Sequence, residues 1–375
     1  MKIAIITLPL IANYGGILQN YALQTVLKRM GHTVETIVLP LELQQPWWRK
    51  PLAYSKRSVD KYVLRRRKTP VFYEQWYNRT LPALICDMQS FVATHILTRK
   101  VNCFSDIKEG EYDAFVVGSD QIWRPAYFYR PITNAYLDFA KDWKNTKRVA
   151  YAASFGTDRW EYSDLQTRQC TALAALFDGI SVREEAAVRL CREHLHCEAV
   201  HVLDPTMLLA AEDYVALLKD KKLEAPRGEL LTYVLDETPE KARIIEKVAN
   251  HYQYTIYRAN SRFEDWTAPL TERKQPPVEQ WLKDFQDAKF VITDSFHATV
   301  FSILFGKPFI VIGNKARGLS RIDSLLKMFG LEEHVVSSLT GLDVSRDYSL
   351  DTGRVQEVLQ ARRQTAMEFL RASLR

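Results

Sequence analysis

The run Val291-Ile292-Thr293-Asp294-Ser295-Phe296-His297-Ala298-Thr299 carries an apolar strand pattern directly into a helical one, with a carboxylate, a hydroxyl and an imidazole at the turn. A histidine at a strand end beside a carboxylate suits proton transfer; a lone histidine is more often a packing residue. The dipole at a helix start disfavours the imidazolium, whereas Asp294 or a bound phosphate favours it. After the next strand pattern come Asn314-Lys315-Ala316-Arg317-Gly318 and Arg321. Arg317 and Arg321 are four apart and share a helix face. They suit a doubly charged ligand, or else form solvated surface charge.

Three further groups follow strand patterns. Asn13-Tyr14-Gly15-Gly16 precedes a helix, where glycines let backbone N–H groups approach an anion or simply make a tight turn. It is not the G-x-G-x-x-G of a dinucleotide site. Val117-Gly118-Ser119-Asp120-Gln121-Ile122-Trp123-Arg124-Pro125 offers hydroxyl, carboxylate, amide and indole together, a mixture suited to a sugar. Ser181-Val182-Arg183-Glu184-Glu185 ends a strand on a guanidinium that can fork onto phosphate or carboxylate, or pair with Glu184 or Glu185.

The elements that position these groups alternate. Strand patterns at 2–8, 33–39, 114–117, 148–152 and 179–182, with a helix at 17–30, predict a parallel sheet. A second series follows Asp204-Pro205, with strands at 230–235, 254–257, 290–293 and 308–312, and helices at 238–251, 278–287, 298–304 and 320–329. The predicted class is α/β: two doubly wound Rossmann-like domains facing across a cleft. The domains are residues 1–195 and 196–350, with a helix over 351–375 after them. Residues 41–105 show no clear strand and read as helices inserted into the first domain. Ligands of such sheets sit beyond the carboxyl ends of strands, where each motif above falls.

With 375 residues, 47% hydrophobic and 26% charged, this is the composition of a globular chain, long enough for two domains of roughly 100–200 residues each. No apolar run reaches the ~20 residues of a membrane span, and the first residues read as a buried strand rather than a signal peptide. The expected location is the cytoplasm. Five cysteines without a CxxC pair predict neither disulfides nor zinc. Nine basic residues lie at 49–68 against Asp60 alone, an excess larger than the +6 of the whole chain. A nucleic-acid binder would spread its charge over a folded face, so no nucleic-acid partner is expected.

Five blocks in order resemble the polysaccharide pyruvyl transferase family: Asn13-Tyr14-Gly15-Gly16-Ile17-Leu18-Gln19, Gly118-Ser119-Asp120-Gln121-Ile122-Trp123, Ser181-Val182-Arg183, Leu203-Asp204-Pro205-Thr206 and Thr293-Asp294-Ser295-Phe296-His297. The resemblance spans about residues 1–330 without the insertion. It implies a glycosyltransferase-B-like fold whose last helix, 351–375, packs back toward the first domain, with phosphoenolpyruvate as co-substrate, a sugar acceptor, and neither metal nor cofactor. It places the general acid on His297 and a donor-binding arginine on Arg183, with Ser295 and Asn314 on the donor side. Many members carry an arginine where this chain has Ser295, so Arg317 or Arg321 is expected to hold the donor's remaining charge. The acceptor side comprises Asn13, Tyr14, Gly15, Gly16, Gln19, Ser119, Gln121 and Trp123, with Asp120 or Asp294 accepting hydroxyl protons. For a lipid-linked acceptor the basic insertion, with Trp47 and Trp48, docks on an anionic membrane face, or else stays solvated. A nucleotide-sugar glycosyltransferase and a non-catalytic assembly subunit are the competing readings.

Overall fold

A computed structural model describes residues 1–40, 47–65, 70–225, 227–313 and 319–375. The first sheet contains β1 (Lys2–Ile6), β2 (Thr33–Val38), β3 (Thr98–Lys100), β4 (Ala114–Gly118), β5 (Lys147–Ala153), β6 (Gly179–Val182) and β7 (Val200–His201). Its order is β3-β2-β1-β4-β5-β6-β7, parallel throughout. The second sheet contains β8 (Leu230–Tyr233), β9 (Ile256–Arg258), β10 (Phe290–Thr293), β11 (Phe309–Ile312) and β12 (Val335–Val336). Its order is β12-β11-β10-β8-β9, again all parallel. Two doubly wound α/β domains therefore face one another across a cleft.

The central strands are covered on both faces, so they read as continuous apolar runs without alternation. β4, β10 and β11 are buried at every residue. Strand order reverses at β1/β4 and at β8/β10, and crevices at such switch points receive ligands. The segments after β1, β4, β8 and β10 line the cleft.

Two expectations are corrected. Residues 41–105 do contain a strand: Thr98–Lys100 pairs in parallel with β2, and the helix Cys86–His95 precedes it. Three polar residues, Thr98, Arg99 and Lys100, carry no apolar signal, because an edge strand buries little. The first sheet also runs past residue 195 to β7, a two-residue edge strand. In contrast, β6 and the helix Val278–Asp287 coincide with their predicted ranges.

One apolar cluster runs through both domains, joining Leu18, Met207, Trp281, Phe301 and Leu359. The Tyr14 ring stacks on Trp281 with centroids 5.3 Å apart, and its hydroxyl donates to the Pro276 carbonyl at 2.9 Å. The last helix, Thr352–Ser373, returns to the first domain: Phe369 faces Tyr151 of β5 with centroids 6.4 Å apart, and Arg363 donates to the Met207 and Leu209 carbonyls of the connection between the sheets at 2.7 and 2.6 Å.

Candidate active site

His297 lies in the first turn of the helix Phe296–Leu304, which starts directly from β10. That helix aims the imidazole across the cleft at the start of the first domain's helix Tyr14–Arg29. A Cβ at Gly15 would overlap the ring, so the absence of a side chain there makes the seat. Asn13 caps that helix by accepting from Gly16 N at 3.1 Å, and its Nδ2 reaches Asp120 Oδ2 at 3.4 Å.

Behind His297 is a buried charge relay between domains. Asp204 Oδ2 lies 3.6 Å from His297 Nε2 and 2.8 Å from Arg183 Nη1. Its other oxygen accepts from Thr206 N and Oγ1 at 3.0 and 2.6 Å. Arg183 Nη2 reaches Asp120 Oδ1 at 3.3 Å. Burial alone would raise the Asp204 carboxyl, but His297, Arg183 and the Thr206 hydrogen bonds outweigh it and hold it well below the ordinary carboxylate range. Glu184 is raised, chiefly by burial, although Ser154 Oγ and Phe155 N donate to Oε1 at 2.9 and 3.1 Å.

The cleft encloses about 780 Å³, within the range of small-molecule sites. Asn13, Gly15, Tyr77, Asp120, Gln121, Tyr127 and Tyr129 line it from the first domain. Asn260, Ser295, Phe296, His297 and Arg321 are among the residues lining it from the second. Two guanidiniums lie near the Phe296 ring, with Arg183 Cζ 4.4 Å and Arg321 Cζ 5.8 Å from its centroid. Burial, together with the like charge of Arg183, pushes the Arg321 guanidinium down to about 10. Such a group gains from an incoming anion.

Asn13, Gly15, Asp120, Gln121, Ser295, His297 and Arg321 thus meet at one cleft. Other expected contacts are made elsewhere. Trp123 is fully buried, stacks on Tyr136 at 4.8 Å and donates to the Ala135 carbonyl, so it is a core residue and no sugar platform. Gln19 is likewise buried: its amide accepts from Ser119 N at 2.9 Å and donates to Thr7 Oγ1 and the Gly16 carbonyl. Ser119 Oγ donates to the Ala152 carbonyl at 2.9 Å. Tyr14 and Gly16 are buried in the helix that seats His297. Arg183 is not among the residues lining the cleft; two aspartates hold it behind the wall. Asp294 does reach the wall, but its carboxylate accepts from Leu235 N at 2.7 Å, Asp236 N at 3.2 Å and Lys241 Nζ at 2.6 Å. That bonding fits a brace for the loop after β8 better than a base. Asn314 and Arg317 lie outside the described residues.

Asp204 is not among the site residues expected from the sequence, where it stands only in the Leu203–Thr206 block and its Asp-Pro step. The signal was a carboxylate between the last strand of one sheet and the first of the next. Gly118 falls within the segment that the sequence offers as a sugar loop. It sits at φ +135°, where a Cβ would overlap the Tyr151 carbonyl oxygen, and lets the chain turn into Asp120, itself left-handed at φ +54°. Among the described residues no group of three or more His, Cys, Asp and Glu side chains is arranged to hold a metal ion.

The sequence profile of the family described as polysaccharide pyruvyl transferase matches residues 13–316. No curated protein matches at a significant level. Among solved structures, UDP-GlcNAc 2-epimerase from Neisseria meningitidis bound to UDP-GlcNAc has a TM-score of 0.46 at 10% identity, over 100% of this chain and 94% of the other. Arabidopsis thaliana UGT89C1 complexed with UDP-L-rhamnose has a TM-score of 0.48 at 12% identity, over 98% and 94%. At such scores the fold rests on the chain's own sheet topology.

Proposed function

Because the chain belongs to the polysaccharide pyruvyl transferase family, we propose that it moves pyruvate from phosphoenolpyruvate onto a sugar of a bacterial surface polysaccharide or its lipid-linked precursor, forming a ketal at the inner membrane face. Membership makes it a transferase with a polysaccharide acceptor; the donor, the ketal and the place of reaction are our reading. One observation carries it: His297 and Arg321 flank Phe296 on one wall of the cleft, an acid and a cation facing the same space.

In this reading Arg321 takes an anionic group of phosphoenolpyruvate and fills the role of the arginine absent at Ser295. His297 delivers its proton to the methylene carbon. The alkene electron pair forms the new C–H bond, and positive charge develops on the central carbon. A sugar hydroxyl attacks that carbon while its proton passes to Asp120, which lines the cleft opposite. The bond to the phosphate oxygen breaks and phosphate leaves with the pair. A second hydroxyl of the same sugar then closes the ketal and loses its proton. General acid catalysis of this kind contributes about 10²–10⁴-fold, and fixing the donor's charge adds positioning. Asp204 and Arg183 are positioning residues that hold the imidazole and Asp120.

A thermal-shift titration of purified protein tests the donor, because a ligand of the native state raises Tm by mass action. We expect phosphoenolpyruvate to raise Tm, and Arg321→Met to abolish the rise. A rise with UDP- or CMP-sugars alone overturns the reading and promotes a nucleotide-sugar transferase.

A further inference from the structure

The insertion carries an amphipathic helix turned inside out. Lys50–Ser58 is an α-helix that widens into a π-turn over Val59–Val63, and neither part has a buried residue. Its inward side is tethered. Tyr54 meets Phe72 edge-on at 4.9 Å, and Arg57 pairs with Glu74 at 2.7 Å. Its outward side follows helical spacing through Leu52, Lys56, Val59 and Val63. Leu52 is 77% exposed, Tyr62 70% and Val63 71%. Trp48, just before the helix, is 60% exposed, and Val59 and Leu64 are exposed as well.

Clustered exposed apolar side chains mark an interaction surface. The charges interleaved with them state its chemistry: Arg49, Lys50, Lys56, Lys61 and Arg65 against Asp60 alone. An apolar stripe bordered by cations is the pattern of a helix lying in the interface of an anionic bilayer. A protein partner would need an acidic rim around an apolar groove. A second copy of this face would set like charge against like.

We propose that residues 48–65 dock the protein on an anionic lipid surface, with Leu52, Val59, Tyr62 and Val63 entering the headgroup boundary. The helix Tyr73–Leu84, to which this segment is tethered, places Tyr77 in the cleft wall, and the exposed Tyr129 lies on the same wall. Docking therefore brings the acceptor side of the cleft to the membrane. The purpose rests on the lipid-linked acceptor proposed above; the binding does not.

The test is flotation of the full-length protein with phosphatidylcholine vesicles, with and without a third of phosphatidylglycerol. We expect binding to rise about tenfold with the anionic lipid and to weaken as salt screens it. Combined Lys56→Glu and Lys61→Glu should abolish it. So should combined Leu52→Ser, Val59→Ser and Val63→Ser, which touch only exposed positions; unchanged Tm shows that the fold persists. Equal recovery with neutral vesicles, or a dimer in light scattering that the serine variant dissolves, overturns the proposal. Flotation reads binding and not transfer, so a failure here leaves the donor assignment standing, and the reverse holds too.

Discussion

The imidazole of His297 occupies the space a side chain at Gly15 would need, so a histidine of one domain is seated on the backbone of the other. Gly15 lies inside the helix Tyr14–Arg29, where alanine is preferred over glycine by about 1 kcal/mol. Gly15→Ala should therefore keep secondary structure while pushing the ring aside. We expect kcat to fall about 10²-fold, with phosphoenolpyruvate still raising Tm. Full activity in Gly15→Ala would show that the ring moves freely and that its seat is unimportant.

Asp204 is buried between His297 and Arg183 and is held well below the ordinary carboxylate range. A depressed folded value stabilises above the unfolded value, about pH 4, and that stabilisation is lost as pH falls through the folded value. Asp204→Asn removes one of two partners of a buried guanidinium, a loss of about 3 kcal/mol at pH 7. Urea midpoints should show that deficit at pH 7 and a narrowing gap below about pH 4. A gap that does not change with pH would remove the ion pair from the explanation.

Arg321 shares the Phe296 ring with Arg183 and is depressed by burial and by that like charge. Burial and like charge outweigh the attraction of Asp120 and Glu184 and disfavour the ionised guanidinium, so methionine relieves a desolvation penalty there. Arg321→Met should leave Tm of the free protein within a few degrees. It should also raise KM for phosphoenolpyruvate at least about tenfold, the loss of one charge-assisted contact. A large drop in Tm with unchanged KM would make Arg321 structural.

Central strands were legible because parallel sheets bury them on both faces; β10 is buried throughout, its first three residues are apolar, and only Asp294 and Ser295 separate it from its helix. Edge strands β3 and β7 were not, since two or three half-covered residues carry no pattern. At the site, residue types marked His297 and Arg321, but not which way a side chain points. Ser119-Asp120-Gln121 looked like one polar loop. The left-handed turn at Asp120 instead sends Ser119 into the core and leaves Asp120 and Gln121 at the cleft. Asp204 is marked in the sequence by its Asp-Pro step and its motif block, but its role is not, because its partners, His297 and Arg183, arrive from two different strand ends.

Trp123 offers a direct check of that distinction. It stacks on Tyr136 in the core and donates to the Ala135 carbonyl at 3.2 Å. Trp123→Phe leaves a void and an unpaired carbonyl, at about 2–3 kcal/mol. Urea unfolding should register that loss while KM for the acceptor stays put. Raised KM at unchanged stability would return Trp123 to the sugar site.

Asp284 supplies a pH dependence remote from the chemistry. It lies on the helix Val278–Asp287 and accepts from Gln280 Nε2 at 2.9 Å. Burial pushes its carboxyl up to about 6; Asp287 and Glu224 add to the rise, and hydrogen bonds from Tyr257 and Gln280 oppose it. A raised folded value means that stability is fully present below the unfolded value, about pH 4, and is lost as pH rises through about 6. Asp284→Asn keeps the acceptor oxygen and abolishes the charge. It should therefore gain on the order of 2 kcal/mol at pH 7 and nothing at pH 4. Melting curves at those two pH values check it: a gain confined to the higher pH is the signature of a carboxylate ionised against its surroundings, and an equal gain at both would trace the effect to packing.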